Sequence, residues 1–494
     1  SKLLLQEEAA ATFEQAISAS FKLHVQTGED KYLDDMFEFM EKSKATLMAE
    51  TLQSNALSNI QGIPDSVLVE ESSIKRKISF VESQLTGTDI NIDSIQNELF
   101  ILRRLYDTLA EHIAETYPKY YQLKYQVDTK KLDDVKLMLQ PQQAVLTYFL
   151  GHDYWYVLAI AQNGINAMQI DSAKIKEADV IKFREMLADA QYRWNNQLAN
   201  RLFSTLVADP LQGLGGFDRL IVVPDGLLGH ISFDALTLNP SDKPIYAVTE
   251  YAISYTPSVT MLGLSETYQQ TSNSYYGFAP VNYQNELSSL LGSQQEVNMA
   301  ADLYNGKSYL YQQATEANLK EIESCGVIHL AMHALIDDQD PMRSRLIFAN
   351  SGDSIEDGDL YANEIYNLNL NSKLSILSAC NTGYGNIARG EGIMNLSRAF
   401  QYAGSPNILM TLWQASDAST SDIVYQFLRN IKDGKPKDLA LQQAKLSYLN
   451  QADPLQAHPA FWATFVFMGD TAPINFGNPL WKWLIPIVLI IALV

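Results

Sequence analysis

The strongest constraint on the fold is a set of short, uninterrupted apolar runs that alternate with helical patterns in the last third of the chain. The apolar runs are 327–331, 374–378 and 407–412. The helical patterns cover 393–403, 419–431 and 437–450. Strands without polar alternation are typical of parallel sheets that helices cover on both faces. The sequence therefore predicts an α/β fold with a mostly parallel sheet flanked by helices.

Residues 1–118 carry helical patterns only. Thr27, Gly28 and Glu29 interrupt the first pattern, which predicts a helical hairpin of the tetratricopeptide type within residues 1–60. There is no second copy of this hairpin, so its spacing alone does not establish a repeat array.

A second pair of helices is predicted within residues 61–135. Apolar residues recur there at four- and three-residue steps, at Ile74, Ile78, Val81, Leu85, Ile95, Leu99, Leu102, Leu109 and Ile113. This spacing predicts an antiparallel coiled-coil hairpin that ends at Pro118. Such a stripe indicates packing rather than a ligand site.

The pattern changes to strands in residues 136–290. The predicted elements are a hairpin of strands 144–149 and 154–160, a helix over 178–208 and a strand over 219–223. Residues 265–276 are rich in Ser, Thr, Gln and Tyr and lack an apolar period, which predicts a surface connection.

The net charge and the cysteine content limit the classes of function and the cellular compartment that the sequence allows. The 494 residues contain 36 basic and 57 acidic side chains, a net charge of −21. This charge argues against a nucleic-acid partner that would need a broad basic face. Two cysteines, Cys325 and Cys380, cannot form a disulfide scaffold. They indicate a reducing, cytoplasmic compartment, or at least a fold that does not need disulfide bridges. The chain begins at Ser1 with no signal-like segment, and we expect it to be a fragment without its own start.

The last residues form an uncharged apolar run behind two tryptophans. Trp481 and Trp483 are typical of a membrane interface, and no charge follows Lys482. A bilayer needs about 20 apolar residues to be crossed, and the chain ends before that. Two hypotheses stay open for residues 479–494. They begin a transmembrane anchor, which we favour, or they form a strand or helix docked on the core.

Three chemically competent residues follow predicted strands. His333 comes after 327–331, Cys380 after 374–378 and Asp417 after 407–412. In parallel sheets, reacting groups gather at the carboxyl ends of the strands. An imidazole beside a thiol can take its proton and later donate it to a leaving amine. Small residues around Cys380 would let a substrate backbone approach and leave N–H groups for an oxyanion.

Less specific interpretations of the same residues stay open. A lone cysteine or histidine near an apolar strand is often buried and inert. His329 and His333 are four residues apart, but on a strand and its exit they do not share one face as helical metal ligands would. Without a third ligand nearby, we predict no metal and no other cofactor. Cys325, beside Gly326 at a predicted helix end, is interpreted as structural.

These segments also carry a family resemblance. HLAMHALIDDQDPMRSRLIFAN, LSILSACNTGYGNIARGEGIMNLSRAFQYAGSPNILMTLWQASD and HPAFWATFVFMGD resemble a CHAT domain, a caspase-like peptidase domain often found after tetratricopeptide repeats. RLIVVPDGLLGHISFDAL and EYAISYTPSVTML resemble the amino-terminal half of that family, and TGEDKYLDDMFEFMEKSKATL the end of its helical region. The resemblance implies a pseudo-protease-like half over 136–290 and a catalytic half over 291–474.

The resemblance also implies roles for individual residues. His333 and Cys380 correspond to the family's catalytic dyad, and the backbone N–H groups of Ala334 and Cys380 to its oxyanion hole. Relatives usually have Gly at the position of Ala334, so alanine is unsuitable there if a positive φ is required. TLWQASD resembles the strand exit of separases, which implies that Asp417 binds a basic P1 side chain in the S1 pocket and that Trp413 forms its wall. The alternative is that Asp417 caps a helix beginning near Ser419.

The expected function is a cysteine endopeptidase that cleaves protein substrates after Arg or Lys. The helical amino-terminal region is expected to bind an activating protein partner or a substrate. The carboxyl-terminal segment is expected to contact a membrane. The alternative is a catalytically silent, caspase-like interaction scaffold, which the departure at Ala334 favours. A zinc hydrolase lacks candidate ligands.

Overall fold

The computed structural model describes part of the chain, and its described residues fall in several segments. They are 2–44, 67, 70, 73–74, 77–78, 81, 92–116, 129–171, 173–263, 272–283, 287–337, 343–352, 357–366, 368–378, 387–388, 392–393, 396–413, 417–474 and 476. Cys380 and the predicted anchor 479–494 therefore lie outside the described residues.

A single large sheet dominates the described part of the chain. The strands are β1 (Gln143–Leu150), β2 (Trp155–Ala161), β3 (Gly164–Ile170), β4 (Arg219–Val223), β5 (Ala252–Tyr255), β6 (Tyr275–Ala279), β7 (Lys307–Leu310), β8 (Cys325–Ala331), β9 (Ala334–Leu335), β10 (Arg345–Ile347), β11 (Asp359–Tyr361), β12 (Ser372–Ser378), β13 (Ile387–Ala388), β14 (Gly392–Ile393), β15 (Ile408–Thr411) and β16 (Phe465–Met468). Eleven of these strands form one sheet in the order β3-β2-β1-β4-β5-β16-β15-β12-β8-β6-β7. Strands β9, β10 and β11 form a separate small sheet.

Helices precede the sheet and cover it. They are α1 (Lys2–Thr27), α2 (Lys31–Lys42), α3 (Ile92–Thr116), α4 (Leu132–Met138), α5 (Glu177–Ala188), α6 (Asn196–Phe203), α7 (Leu291–Tyr304), α8 (Glu316–Lys320), α9 (Ala362–Ile365), α10 (Leu396–Tyr402), α11 (Asp417–Lys432), α12 (Lys437–Gln451) and α13 (Pro459–Trp462). Short 3₁₀ turns follow β4, β5 and β7. A π turn (Ser204–Ala208) follows α6 and continues into a single α-helical turn, Asp209–Leu211.

Most neighbouring strands run parallel, which confirms the predicted fold class. Strands β1, β4, β5 and β16 share one direction, and β6, β7, β8, β12 and β15 share another. The two sets meet at β15 and β16, which pair antiparallel. The first half of the sheet, β1 to β5, therefore ends its parallel strands at the edge opposite to that used by the second half.

Both faces of the first half are buried, as the unalternated strands predict. Along β1, Leu146 and Tyr148 belong to the main hydrophobic core, whereas Val145 and Phe149 belong to a second core on the other face. Because successive side chains of a strand point to opposite faces, this alternation requires a cover on each side. Helix α2 covers the second core.

The helical hairpin docks on the first half through apolar and charged contacts. Met36, Phe37 and Met40 of α2 are buried against β1, β2 and β4. Glu41 accepts hydrogen bonds from the backbone N–H groups of Val259 and Thr260 at 3.1 and 2.8 Å. These buried polar contacts fix the angle at which the hairpin meets the sheet.

Helix α12 joins the two halves of the sheet. Between β5 and β16 the register contains one residue pair, Met468 with Tyr255. Across the same junction, Arg219 of β4 donates two hydrogen bonds to Asp438 of α12, at 2.7 and 2.8 Å. Lys445 of α12 pairs with Asp234 at 3.1 Å, and both side chains are buried. The helix therefore reinforces a narrow strand junction with buried ion pairs.

Three local predictions are wrong. The helix predicted over 178–208 is two helices, because Asp189 accepts from Gln191 N–H and starts a turn, and Asn195 caps α6 by accepting from Leu198 N–H. The surface connection predicted to end at 276 gives way to β6 at Tyr275, which is fully buried. Cys325 begins strand β8 rather than lying at a helix end.

The described residues of the coiled-coil segment agree with the predicted stripe. Val81 packs with Ile95 and Leu99, and Ile113 is fully buried. Helix α3 ends at Thr116, two residues before the predicted stop at Pro118. The remaining stripe residues before α3, such as Leu85, lie outside the described residues.

Candidate active site

The site is built at the carboxyl ends of two adjacent parallel strands. In the pairing of β8 with β12, Ala331 lies opposite Ser378. His333 is two residues beyond Ala331, and Cys380 is two residues beyond Ser378 in the sequence. Counted along the sequence, each of the two residues therefore lies two positions after the last paired residue of its strand. The structure describes His333, whereas Cys380 lies outside the described residues.

His333 is almost fully buried and held at two points by the segment before α7. Its Nε2 lies 2.8 Å from the carbonyl oxygen of Ser288. Its backbone N–H donates to the hydroxyl of Tyr283 at 3.3 Å, and the Tyr283 ring meets the imidazole edge-on at 4.5 Å. Because a carbonyl can only accept, Nε2 carries the proton. In the neutral ring Nδ1 is then unprotonated, and among the described residues no group hydrogen-bonds to it.

Ala334 opens the small sheet beside the histidine. It pairs with Leu346 of β10, and its φ is not among the positive φ values of the described residues. The backbone conformation here suits alanine, so the departure from the family's usual glycine causes no strain. The doubt raised by this residue in the sequence does not apply to the observed geometry.

A buried carboxyl group is hydrogen-bonded to the backbone beside the small sheet. Glu316 of α8 accepts a hydrogen bond from the N–H of Gly358, next to β11, at 2.8 Å and pairs with Lys320 at 3.1 Å. Gly358 has a φ of +100° and close neighbours that a Cβ would contact. Burial raises the pKa of Glu316 to about 7.

The region after β15 contains the predicted substrate-binding residues. Trp413 is 3% exposed, and its indole Nε1–H donates to the carbonyl oxygen of Ala460 at 3.0 Å. Its backbone N–H donates to Thr464 Oγ1 at 3.3 Å. Trp413 is thus fixed in the core, with only a small part of its surface exposed. Asp417 is the first residue of α11, and its side chain lies outside the description. Both roles considered for Asp417 remain predictions.

Cys325 is unsuited to nucleophilic chemistry. It is fully buried at the start of β8, and burial raises the pKa of its thiol to about 12. The thiolate is the reactive form, so this cysteine is inert near neutral pH.

Sequence reasoning missed several groups around His333. The carbonyl of Ser288 is a backbone group and leaves no side-chain signal. Glu296 on α7 lies 2.8 Å from Nε2 of His329, and both are buried. Two signals could have identified this pair: a histidine inside an apolar strand and a glutamate next to the apolar residues of α7.

The described residues define an α/β protein: a mostly parallel sheet, preceded by helices, with a histidine just beyond the end of a central strand. Residues 196–470, more than half of the chain, match the family model described as CHAT domain. The chain belongs to the CHAT domain family.

Individual relatives match either over a short part of the chain or at low sequence identity. The chain is 28% identical to tetratricopeptide repeat protein 28 of Mus musculus over 121 residues, which are 24% of this chain and 5% of that protein. It is similar in structure to Saccharomyces cerevisiae separase in its complex with securin, with a TM-score of 0.42 and 8% identity, over 89% of this chain and 41% of that chain. For the Arg-specific cysteine proteinase gingipain R, the TM-score is 0.38 with 9% identity, over 59% and 74% of the two chains.

No helix in the described part of the chain combines the length and hydrophobicity needed to cross a bilayer. The predicted anchor, residues 479–494, falls outside that part.

Proposed function

We propose that the chain is a cysteine endopeptidase in which His333 and Cys380 form the catalytic dyad. The observation that supports this most is the register of β8 and β12, where Ala331 faces Ser378 and each candidate follows by two residues. Adjacent parallel strands deliver such positions to the same edge of the sheet. The membership in the CHAT family supports the same assignment.

The hydrogen bond to Ser288 supports the role of His333 as the base. With Nε2–H donating to the carbonyl of Ser288, Nδ1 has the lone pair that can accept the thiol proton. The same bond also stabilises the imidazolium that forms, because its Nε2–H already has an acceptor. This arrangement needs no rearrangement of the ring between the two protonation states.

In the proposed reaction, Cys380 Sγ gives its proton to His333 Nδ1 and attacks the scissile carbonyl carbon. The carbonyl π electrons move to oxygen, and the backbone N–H groups of Ala334 and Cys380 stabilise that oxyanion. The imidazolium then protonates the leaving amine as the C–N bond breaks, which leaves a thioester. His333 next takes a proton from water, the hydroxide adds to the thioester, and the carboxylic acid product leaves as the thiol reforms.

Specificity for Arg or Lys is proposed to depend on Asp417, with Trp413 as part of the pocket wall. Asp417 begins α11 just after β15, the strand next to β12 in the sheet. A carboxylate in a partly desolvated pocket binds a guanidinium by two hydrogen bonds and an ammonium less specifically.

Protein substrates and an activating protein partner are the proposed binding partners, the latter through the helical amino-terminal region. The docking of α2 on the sheet, where Glu41 and the apolar residues of α2 are buried, supports the proposal of an activating partner. A partner that moves this hairpin would also move the sheet. We keep the anchor at 479–494 as part of the same proposal.

Cleavage of a mixed peptide library by the full chain, with sequencing of the cut sites, tests the proposal. We expect cuts after Arg and Lys that disappear in Cys380→Ala. A chain that binds library peptides but cuts none, with or without its candidate partner, would instead support the interaction scaffold.

A further inference from the structure

A buried network of side chains lies beneath His333, and the proposed reaction does not use it. His329 is four residues earlier, in β8, and is completely buried. Its Nδ1 lies 2.8 Å from the hydroxyl of Tyr275, and its Nε2 lies 2.8 Å from Oε1 of Glu296. The other carboxyl oxygen of Glu296 accepts a hydrogen bond from Ser421 at 3.3 Å.

Hydrogen-bonding capacity assigns a direction to this network. Burial raises the pKa of Tyr275 well above its usual value, so its hydroxyl keeps its proton and donates it. The nearer acceptor is Nδ1 of His329, since the carbonyl of Val297 is 3.4 Å away. Nε2 of His329 then carries the ring proton and donates to Glu296. Glu296 accordingly accepts from two elements, β8 and α11.

Each element that meets at Glu296 also carries a part of the proposed site. Strand β8 leads into His333. Helix α7, which contains Glu296, is preceded by Ser288, whose carbonyl accepts the hydrogen bond from His333 Nε2–H. Helix α11, which contains Ser421, begins one turn earlier at Asp417. The base, its backbone acceptor and the specificity residue are therefore attached to three elements joined by one carboxyl group.

We propose that Glu296 is a positioning residue that fixes the base and the specificity residue relative to each other. Glu296 of α7 contacts His329 of β8, and Ser288, three residues before α7, contacts His333, two residues after β8. The two contacts together restrict rotation of α7 relative to the strand. This inference rests on the proposed function for its catalytic meaning, but the positioning itself can be measured without catalysis.

Loss of the Glu296 contacts should displace the site without unfolding it. The far ends of α7 and α11 are joined independently, since Tyr304 donates to the carbonyl of Leu428 at 2.8 Å and Lys432 to that of Leu303. Displacement of a reacting group by about 1 Å can lower a rate by about 100-fold.

Three variants of the full chain separate the arms of the network. Glu296→Gln keeps the volume and removes the charge and one strong acceptor. Ser421→Ala removes the hydrogen bond between α11 and Glu296 and leaves the contact of Glu296 with His329 in place. Asp234→Asn is the matched control, because it breaks a buried pair with Lys445 of α12 that is not part of the Glu296 network. Thermal unfolding of each variant establishes that it is folded and how much stability it has lost.

The readouts are the rate of Cys380 alkylation by iodoacetamide, the ¹⁵N–H signal of His333 Nε2, and kcat and KM for peptides with P1 Arg or a neutral P1 residue. Glu296→Gln should slow alkylation about tenfold or more, shift the His333 signal, and lower kcat for both peptides. Ser421→Ala should leave alkylation and the His333 signal unchanged and raise KM for the Arg peptide alone. Asp234→Asn should lower stability and change none of the site readouts.

The outcomes also distinguish this inference from the proposed function. If the parent cleaves no peptide but Glu296→Gln still shifts the His333 signal and the alkylation rate, the positioning role stands and the peptidase proposal fails. If the parent is a peptidase and Glu296→Gln matches it in all readouts, Glu296 does not position the site. Equal changes in Asp234→Asn would likewise overturn the inference, since they would reflect stability alone.

Discussion

The two halves of the sheet differ in the residues that follow the carboxyl ends of their parallel strands. Below, each such end of the sheet is called an edge, the first edge for β1 to β5 and the second edge for β6 to β8, β12 and β15. In the first half, β4 leads to Asp225, a half-buried carboxylate that interacts electrostatically with the buried Lys44 and accepts a hydrogen bond from Leu150 N–H at 2.7 Å. Lys44 in turn donates to Thr147 Oγ1 at 2.7 Å and to the carbonyl of Val223. In the second half, β8 leads to His333, whose Nδ1 has no partner among the described residues.

The difference indicates how one construction serves two purposes. At the first edge, the buried Lys44 and the half-buried Asp225 both have hydrogen-bond partners, and Lys44 directly follows the helical hairpin that docks there. At the second edge, an incompletely satisfied imidazole is available for proton transfer. Because the strands of the halves run in opposite directions, the two edges lie on opposite sides of the sheet.

The largest effect should come from removing the nucleophile at the second edge. Cys380→Ala should lower peptide cleavage by at least about a thousandfold, because no other group can form the thioester. Cys325→Ser is the control and should cleave peptides like the parent. If the Cys380→Ala protein still cleaves peptides, Cys380 is not the nucleophile, and the second edge is not the reacting one. The measurement is kcat/KM on the best library peptide.

Asp417→Asn should have the next largest effect and sharpens the assignment of specificity to the second edge. A desolvated cation left without its carboxylate costs several kcal/mol, so kcat/KM for P1 Arg should fall by about two to three orders of magnitude. Cleavage after a neutral P1 residue should change little. An unchanged preference for Arg in the variant would favour the helix-capping role instead.

Lys44→Met tests the first edge and should act on stability rather than chemistry. It removes the buried ammonium group that donates to Thr147 and Val223 and leaves the half-buried Asp225 without its cation. The free energy of unfolding in urea titrations should fall by about 3 kcal/mol. Lys42→Met, which removes an exposed pair with Glu38, is the control and should change stability little. If folded Lys44→Met protein loses cleavage activity, the two edges are coupled, as an activating partner on the hairpin requires.

The smallest expected effect is a pH dependence within the second half. The pKa of Glu316 is raised from 4.5 to about 7 by burial, so the folded state binds this proton more tightly than the unfolded state. Its stabilising contribution is complete below about pH 4.5 and is lost as the pH rises through 7, on the order of 2–3 kcal/mol. Glu316→Gln should lack this dependence in unfolding experiments at a series of pH values. Parallel pH curves for both proteins would rule out the titration of Glu316.

Local patterns in the sequence were sufficient for the sheet type and for part of the site. The apolar runs that become β8, β12 and β15 predict parallel strands, and the position of His333 follows from the end of one of them. Strands of four residues such as β5, β7 and β16 carry too few side chains to show a period. Their place in the sheet depends on distant partners.

Contacts made by the backbone or across long sequence distances could not be predicted in this way. The Ser288 carbonyl, which accepts the hydrogen bond from His333 Nε2–H, is 45 residues away in sequence and has no side-chain signature. The contact of Glu41 with Thr260 spans 219 residues. Hydrophobic periodicity reports which face of an element is buried but not which element covers it. For Asp417, a capping role and a substrate-binding role share the same sequence pattern.

The position of β16 has a consequence for how the chain acquires its structure during synthesis. This strand is the last in sequence among those described, yet it lies in the middle of the large sheet, between β5 and β15. Until residues 465–468 leave the ribosome, the strands already made must form two pieces with open inner edges. Open strand edges pair readily with other chains, and late non-local pairings form slowly. Nascent chains that stall before β16 should therefore be the main substrates for chaperones and the main source of aggregates.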